Sequence, residues 1–189
     1  TGTGAATGID GDSLTGTVLS ASYNSSSAGN KTLNVSLAIT SNTAGWALAG
    51  YNGTINTTST TTTANITKAN LTVKANDDAR FVTFSDTAGY AGASYSGFVN
   101  NETLATSGVT GTVLITRNSA SNAASTYTLT PNTTGLSALN YSFTPANGTY
   151  TIVPAETLLI RVSNNSTVYG SATNLNVTSA SYLMSDNAT

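Results

Sequence analysis

The sequence predicts an all-β protein made of small modules in series. Its apolar residues are mostly β-branched or aromatic and alternate with polar residues, the period of a half-buried strand. Two Asn-Gly dipeptides, which favour tight turns, lie between such segments. Residues 66–74 (ITKANLTVK) recur, with one insertion, as residues 152–161 (IVPAETLLIR), 86 or 87 residues later. Because such a period indicates stacked repeats, we expect β-sandwich or β-grasp-like modules in an elongated tandem array.

The repeat divides the chain into three parts. Residues 1–69 would be the latter part of a first repeat, residues 70–155 a complete second repeat, and residues 156–189 the opening of a third. Two interpretations stay open: a section of a longer array, or a fibre subunit that polymerises by strand complementation. In both cases neighbouring repeats or subunits of the same protein are expected partners, because open sheet edges are seldom left uncovered.

Composition argues against several functional classes. The 189 residues include six Lys or Arg, eight Asp or Glu, and neither Cys nor His. Six scattered cations do not favour nucleic-acid binding, and no apolar run is long enough for membrane insertion. Without thiol or imidazole groups, the usual zinc sites and catalytic triads lack their residues. We expect no enzyme activity, no cofactor and no metal.

The location expected from the composition is extracellular, on the cell surface. A disulfide-free chain that is stabilised by burial alone suits a bacterial or archaeal surface protein that crosses a membrane unfolded. No signal peptide is recognisable, which predicts a mature segment. Solubility would come from hydroxyl and amide groups, since Ser supplies 24 residues, Thr 37 and Asn 21.

The first part of the chain predicts two strands, at residues 13–21 and 31–40, with a turn at 24–30. Alternate apolar residues of the second strand should face the core; they are Leu33, Val35, Leu37 and Ile39.

Two further segments precede the second module. Residues 46–51 are expected to form a short strand with Trp46 in the core, followed by a hairpin turn at Asn52-Gly53. Residues 57–63 are all Ser or Thr, which is typical of either an extended edge strand or a mobile loop.

The second module opens with a predicted strand at residues 66–75 that points Leu71, Val73 and Ala75 inward. A turn should follow at residues 76–78. Residues 101–105 could form a helical turn.

Later strands of this module are predicted at residues 111–117, 125–130 and 139–144. In the last of these, Leu139, Tyr141 and Phe143 should share a buried face. Asn147-Gly148 is then expected to close a hairpin into a strand at residues 150–153.

The motif with chemical meaning is Asn-x-Ser/Thr, the acceptor triplet of N-glycosylation. It occurs at fifteen of the 21 Asn residues, whereas random order would place roughly seven there. The alternative is an Asn- and Thr-rich surface that serves solubility alone. Asn164 and Asn165 are adjacent, so only one is expected to be filled. The candidate acceptors, whose glycans would be covalent partners, are Asn24, Asn30, Asn34, Asn52, Asn56, Asn65, Asn70, Asn101, Asn132, Asn140, Asn147, Asn164, Asn165, Asn176 and Asn187.

Other motifs are better explained by structure than by chemistry. Residues 10–13 (DGDS) begin like a calcium loop but lack its later ligands, so a turn is expected. Glu102 and Glu156 lie in different repeats and do not predict a catalytic pair. Tyr90 and Tyr95 are the candidate aromatic patch of an alternative carbohydrate- or mucin-binding module.

Four sequence segments resemble the YDG and MBG repeats of bacterial filamentous-haemagglutinin-type (high-molecular-weight) adhesins. They are residues 95–103 (YSGFVNNET), 126–131 (TYTLTP), 135–141 (GLSALNY) and 147–155 (NGTYTIVPA). Residues 11–14 and 63–67 are similar to the latter part of a YDG repeat, and residues 167–170 to the opening of the next. The chain departs from the family at residues 81–86, where FVTFSD replaces the usual Thr-Tyr-Asp-Gly.

The resemblance implies a very large secreted protein displayed on the cell surface, with the repeats forming its stalk. It also implies sugar on the Asn residues of these triplets and a host or cell-surface receptor as a further partner. It carries over no catalytic residue.

Overall fold

The computed structural model describes residues 3–7, 13–41, 55–163, 167 and 169–185. The chain divides into two compact units, Thr1–Lys68 and Ala69–Thr189. Within the described residues the regular structure is entirely β, without a helix. The predicted all-β class is confirmed.

The first unit contains a four-stranded antiparallel sheet whose strands follow chain order. The abundance of β-branched Thr, Val and Ile favours this extended structure. The strands are β1 (Thr3–Thr7), β2 (Ser13–Tyr23), β3 (Gly29–Ser41) and β4 (Ile55–Ile66).

The two strands predicted early in this unit correspond to β2 and β3 and are confirmed. The hydroxyl-rich residues 57–63 lie within β4, so the edge-strand interpretation is correct and the mobile loop is wrong. Residues 46–51, Trp46 and the Asn52-Gly53 turn lie outside the described residues, as does the 10–12 part of the calcium-like motif.

Alternation in β3 follows the predicted pattern only over residues 32–35, since Ser36 and Ala38, which lie between the predicted inward residues, are also half-buried. Leu33 and Val35 are half-buried, whereas Thr32 and Asn34 between and beside them are exposed. The side chains of Leu37 and Ile39 lie outside the description.

The second unit contains a three-stranded mixed sheet. Its strands are β5 (Ala69–Ala75), β7 (Ala93–Ser96) and β12 (Tyr141–Ala146). β5 is central, antiparallel to β7 and parallel to β12. The inward residues of β5 are fully buried, since Leu71, Val73 and Ala75 are each 0% exposed, as predicted.

The second unit also contains a four-stranded sheet, in the order β6-β13-β10-β9. It contacts the three-stranded sheet of the same unit through β10 and β13. β13 is parallel to β6 and antiparallel to β10, which is antiparallel to β9. Its strands are β6 (Asp78–Phe81), β9 (Leu114–Arg117), β10 (Ser125–Asn132) and β13 (Gly148–Val153).

Two short pairs complete the second unit. β8 (Thr110–Gly111) pairs with β11 (Leu136–Ser137), and β14 (Leu158–Val162) pairs with β15 (Val177–Tyr182). The strand predicted at residues 111–117 is therefore divided between β8 and β9. The helical turn predicted at residues 101–105 lies two residues further along the chain, where the Ser107 N–H donates to the Thr103 carbonyl at 2.9 Å; Asn101 itself has a left-handed φ of 58°.

The core of this unit consists of two apolar clusters. One joins Ala75 of β5 to residues of the four-stranded sheet: Ile115, Leu129, Tyr150 and Ile152. The other joins Leu71 to Ala138 and Tyr141, with Tyr95, Phe98 and Phe143 packed against it. The β5 face is therefore buried by strands that follow it in the chain.

The prediction that Leu139 faces the core is wrong. Its side chain is 64% exposed, whereas Tyr141 is 1% exposed and Phe143 is half-buried. β12 begins only at Tyr141, after a bend, and the Asn140 carbonyl accepts a bond from the Ala69 N–H at 2.9 Å. Strand alternation therefore does not extend back to Leu139, and Ala138 is the buried residue of this bend.

The hairpin predicted at Asn147-Gly148 is also wrong. β12 and β13 lie in different sheets and do not pair, so the dipeptide carries the chain from one sheet to the other. A Cβ atom on Gly148 would lie 2.3 Å from the carbonyl oxygen of Ala75. Glycine is required here because two backbones approach closely, rather than for a tight turn.

Candidate functional site

Asp86, in the segment after β6, connects two arginines and two tyrosines. Its Oδ1 accepts hydrogen bonds from Arg80 Nε at 2.6 Å and from the Tyr150 hydroxyl at 3.1 Å. Its Oδ2 accepts from Arg117 Nη2 at 2.9 Å and from the Tyr90 hydroxyl at 3.4 Å. One carboxylate thus joins the loop after β6 to β9 and β13.

The two arginine side chains of this cluster are almost fully buried. That of Arg80 is 6% exposed and that of Arg117 is 4%, while Asp86 is 27% exposed. The Arg117 guanidinium also lies over the Tyr127 ring, 4.7 Å from its centroid. Buried cations are costly without a counter-charge, so Asp86 is needed for the packing of both.

The pKa values of Asp86 and Tyr150 shift in opposite directions. Burial tends to raise the pKa of Asp86, but hydrogen bonds from Arg80, Arg117 and Tyr150 outweigh it and lower that pKa. Burial, helped by the bond to Asp86, raises the pKa of Tyr150 to about 12. The ionised carboxylate and the neutral phenol are therefore the favoured forms.

A cleft of about 480 Å³ lies beside this cluster. Phe84 at its edge is 51% exposed, which offers an aromatic face next to polar groups. The described residues hold no group of three or more acidic side chains that could bind a metal ion. The cleft is lined by Phe84, Ser85, Asp86, Tyr90, Ile115, Thr116, Arg117, Ser119, Ala120 and Asn122.

The structure does not bring Tyr90 and Tyr95 into one aromatic patch. Tyr90 packs edge-to-face on Tyr150, with ring centroids 5.0 Å apart. Tyr95 packs instead against the cluster that contains Leu71 and Tyr141. Of the two tyrosines proposed from the sequence, Tyr90 lines the cleft and Tyr95 packs against the core.

Glu102 has a structural partner. The Tyr141 hydroxyl donates to Glu102 Oε2 at 2.6 Å and accepts from the Val99 N–H at 3.1 Å. The bond to Glu102, together with burial, raises the pKa of Tyr141. The buried Tyr141 side chain therefore holds the loop after β7 in place. Sequence periodicity could not predict this contact between distant residues.

Most of the candidate glycosylation sites with described side chains face solvent. Asn140 is half-buried. The side chains of Asn52, Asn56, Asn164, Asn165 and Asn187 lie outside the description. The exposed acceptors are Asn24, Asn30, Asn34, Asn65, Asn70, Asn101, Asn132, Asn147 and Asn176.

Two acceptors already bond a threonine hydroxyl. Asn132 Oδ1 accepts from both the N–H and the Oγ1 of Thr134, at 2.9 and 2.8 Å, within its own triplet. Asn70 Oδ1 accepts from Thr144 Oγ1 of the neighbouring strand at 2.6 Å. In the Asn132 triplet the hydroxyl contacts the carboxamide on which the transfer chemistry would act.

The β14–β15 hairpin exposes apolar side chains. Leu158, Ile160 and Val162 are 57%, 52% and 50% exposed, and Tyr182 of the paired strand is 55% exposed. Between them in β14, Arg161 Nη1 binds Asp78 Oδ1 of β6 at 2.7 Å. The alternation of a strand therefore directs Arg161 to β6 and leaves the side chains of Leu158, Ile160 and Val162 exposed.

Comparison with known families identifies the segment that carries both sheets. Residues 71–151 match the model of the MBG domain (YGX type). The match starts in β5 and ends in β13, and it confirms the resemblance to MBG repeats predicted from the sequence. No curated protein and no solved structure matches the chain. The described residues include no helix with the length and hydropathy of a membrane span.

Proposed function

We propose that this chain is a stalk segment of a secreted adhesin or filament, in which MBG-type modules act in series as spacers at the cell surface. The observation that carries the proposal is an antiparallel strand pair whose sequence recurs. Leu71 of β5 and Leu158 of β14 are 87 residues apart, and so are Tyr95 of β7 and Tyr182 of β15. The strand pair that opens the MBG match thus recurs in the sequence after it, with a different register: Val73 lies opposite Tyr95 in the first pair and Leu158 opposite Tyr182 in the second.

The composition supports a spacer role. A stalk requires repeated units that fold without cofactors, and each unit then depends mainly on itself and its neighbours. The buried β5 face and the Asp86 cluster supply such a unit from apolar packing and one satisfied ionic network. The proposal includes no catalytic step.

N-linked glycans are the second element of the proposal. Exposure of nine described acceptors supports it, because an enzyme must reach the carboxamide. Asn132, at the end of β10, is the best candidate among them, since its hydroxyl partner is already positioned. Sugars there would cover a polar surface that carries few charges.

Intact-mass measurement and glycopeptide mapping of native protein test the modification. We expect added hexose or larger sugar masses on several exposed acceptors, including Asn132. A bare polypeptide mass would refute the glycan element. Protease treatment of intact cells tests the location: release of peptides from residues 69–153 is expected, and their full protection would contradict surface display.

A carbohydrate-binding role is the second candidate, favoured by the cleft beside Asp86. Phe84 provides an exposed ring and Asn122 an amide, the kinds of group that contact a sugar. Glycan-array binding by the unglycosylated chain, lost in Phe84→Ala and kept in Phe143→Leu, would support it. Binding to no glycan, or binding unaffected by Phe84→Ala, would reject the cleft as a sugar site.

A further inference from the structure

The cluster beside the cleft carries one positive charge in excess. Arg80 and Arg117 are almost fully buried and share a single counter-charge, the carboxylate of Asp86. The other ion pair of the described residues joins Arg161 to Asp78 and adds no net charge to the cluster. Because a cation removed from water is costly without a partner, the excess charge favours a negative group bound in the cleft.

The carboxylate of Asp86 is fully engaged by the protein. Its Oδ1 accepts hydrogen bonds from Arg80 and Tyr150, and its Oδ2 accepts from Arg117 and Tyr90. A carboxylate offers about four lone-pair positions, so these partners leave none for a ligand. Asp86 is also the one acidic side chain among the described residues that line the cleft. The cleft therefore offers a ligand no free carboxylate.

The segment after β9 presents hydrogen-bond donors to the same cleft. Arg80 Nη2 donates to Asn122 Oδ1 at 2.6 Å. A guanidinium can only donate, so this bond fixes the orientation of the exposed Asn122 amide and leaves its Nδ2 group available. Ser119 Oγ accepts from the Ser121 N–H at 3.2 Å, which leaves its own O–H free to donate. Both Asn122 and Ser119 line the cleft, so a ligand there meets donors beside an excess positive charge.

Phe84 adds an apolar surface to the cleft. Its ring is 51% exposed, and an edge-to-face contact with Phe81, with ring centroids 5.9 Å apart, holds it in place. A ligand that fits both surfaces has an apolar face next to one negative group. An acidic sugar has both, since its C–H face packs on an aromatic ring and its carboxylate accepts from N–H and O–H donors.

We infer that the cleft binds an acidic sugar, with the carboxylate of the sugar at Asn122 and Ser119 and its ring against Phe84. This inference rests on the proposed sugar-binding role of the cleft and names the class of sugar that it takes. One carboxylate balances the one excess charge of the arginine cluster. Hydrogen bonds to a charged acceptor are stronger than those to a neutral hydroxyl, so the carboxylate distinguishes this ligand from neutral sugars.

The first test compares ligands that differ in one group. A glycan array probed with the unglycosylated 189-residue chain holds carboxylated oligosaccharides, the same oligosaccharides with the carboxyl group reduced to an alcohol, and neutral oligosaccharides. We expect binding to carboxylated glycans. Carboxyl reduction should weaken it about tenfold or more, because a charge-assisted hydrogen bond is lost. Isothermal titration calorimetry with the best matched pair gives the two Kd values.

Asn122→Asp tests the site itself. The new carboxylate would give the arginine cluster its second counter-charge in place of the ligand, and it would remove the Nδ2 donor. Binding of the carboxylated glycan should fall about tenfold or more, whereas the free energy of unfolding should stay equal or rise. Asn101→Asp, at an exposed residue outside the cleft, changes the net charge equally and should leave both quantities unchanged. Circular dichroism checks that each variant is folded, and the comparison of the two ligands depends on no variant.

Equal binding of a carboxylated glycan and its reduced form would overturn the inference, as would full affinity in Asn122→Asp. Either result, with binding lost in Phe84→Ala, leaves the cleft as a site for neutral sugars, so the inference fails while the sugar-binding role stands. Displacement of the glycan by an equal concentration of acetate would indicate a site for small anions and overturn the sugar assignment. Binding to no glycan would overturn the inference and the sugar-binding role together and leaves the tests of the stalk untouched.

Discussion

Leu71 of β5 and Leu158 of β14 lie 87 residues apart in the sequence, yet Leu71 is 0% exposed and Leu158 is 57% exposed. Their strands share an apolar pattern, but Leu71 packs in a buried cluster with Ala138 and Tyr141, and Leu158 belongs to neither cluster of the second unit. Full burial of a leucine contributes about 1.5 to 3 kcal/mol. Burial of Leu71 therefore adds to the stability of β5, a contribution that Leu158 does not make while its side chain is exposed.

Asp86→Asn should destabilise the second unit by about 3 kcal/mol, because it leaves the buried cations Arg80 and Arg117 without their counter-charge. Urea unfolding followed by circular dichroism measures this loss. Asp77→Asn, at an exposed acid near β6, is the control and should cost much less. Equal effects of the two substitutions would show that the cluster does not stabilise the fold.

The acid side of the stability profile should also depend on Asp86. Because folding lowers the pKa of Asp86, its contribution is fully present above the unfolded value of about 3.9 and is lost as the pH falls through the folded value. The free energy of unfolding should therefore decline more steeply below about pH 4 in the wild type than in Asp86→Asn. Parallel profiles would contradict this assignment.

Tyr150→Phe should instead change how the free energy of unfolding depends on pH in the alkaline range. Folding raises the pKa of Tyr150 to about 12, so stability present below the unfolded value of about 10 is lost as the pH rises towards the folded value. Removing the hydroxyl should cost about 1 kcal/mol at neutral pH and reduce the loss between about pH 10 and 12. Tyr169→Phe, at a fully exposed ring, is the control. An unchanged alkaline profile in Tyr150→Phe would refute the expectation.

Gly148→Ala tests the crossing between the two sheets. The new methyl group would meet the Ala75 carbonyl oxygen at 2.3 Å, which forces the backbones apart and should cost about 2 to 3 kcal/mol. Thr149→Ala, at the adjacent exposed residue, should cost less than about 1 kcal/mol. A neutral Gly148→Ala would mean that the crossing is looser than described.

Much of the fold could be predicted where the strand period is regular. Alternation in residues 69–75 predicted the burial of Leu71, Val73 and Ala75, and composition predicted the all-β class. The prediction failed at Leu139 and at Asn147-Gly148, because a bend and a sheet-to-sheet crossing depend on which strands become neighbours. Asn-Gly signals a turn locally, but the Ala75 carbonyl that requires Gly148 is more than seventy residues away in the sequence.

The candidate sites were less accessible to sequence reasoning. The Asn-x-Ser/Thr triplets could be identified directly, since the motif is local. The Asp86 cluster was missed because Arg80, Arg117 and Tyr150 are brought together only by the pairing of β6, β13, β10 and β9. The spacing of charged residues in a chain with so few of them gave no signal for that contact.

Immunogold electron microscopy of the native cells, with an antibody raised against residues 69–153, determines whether this segment lies outside the cell. We expect gold particles on material that projects from the cell surface, at a distance from the envelope. Label confined to the cell interior would contradict the proposal that these modules form an extracellular stalk.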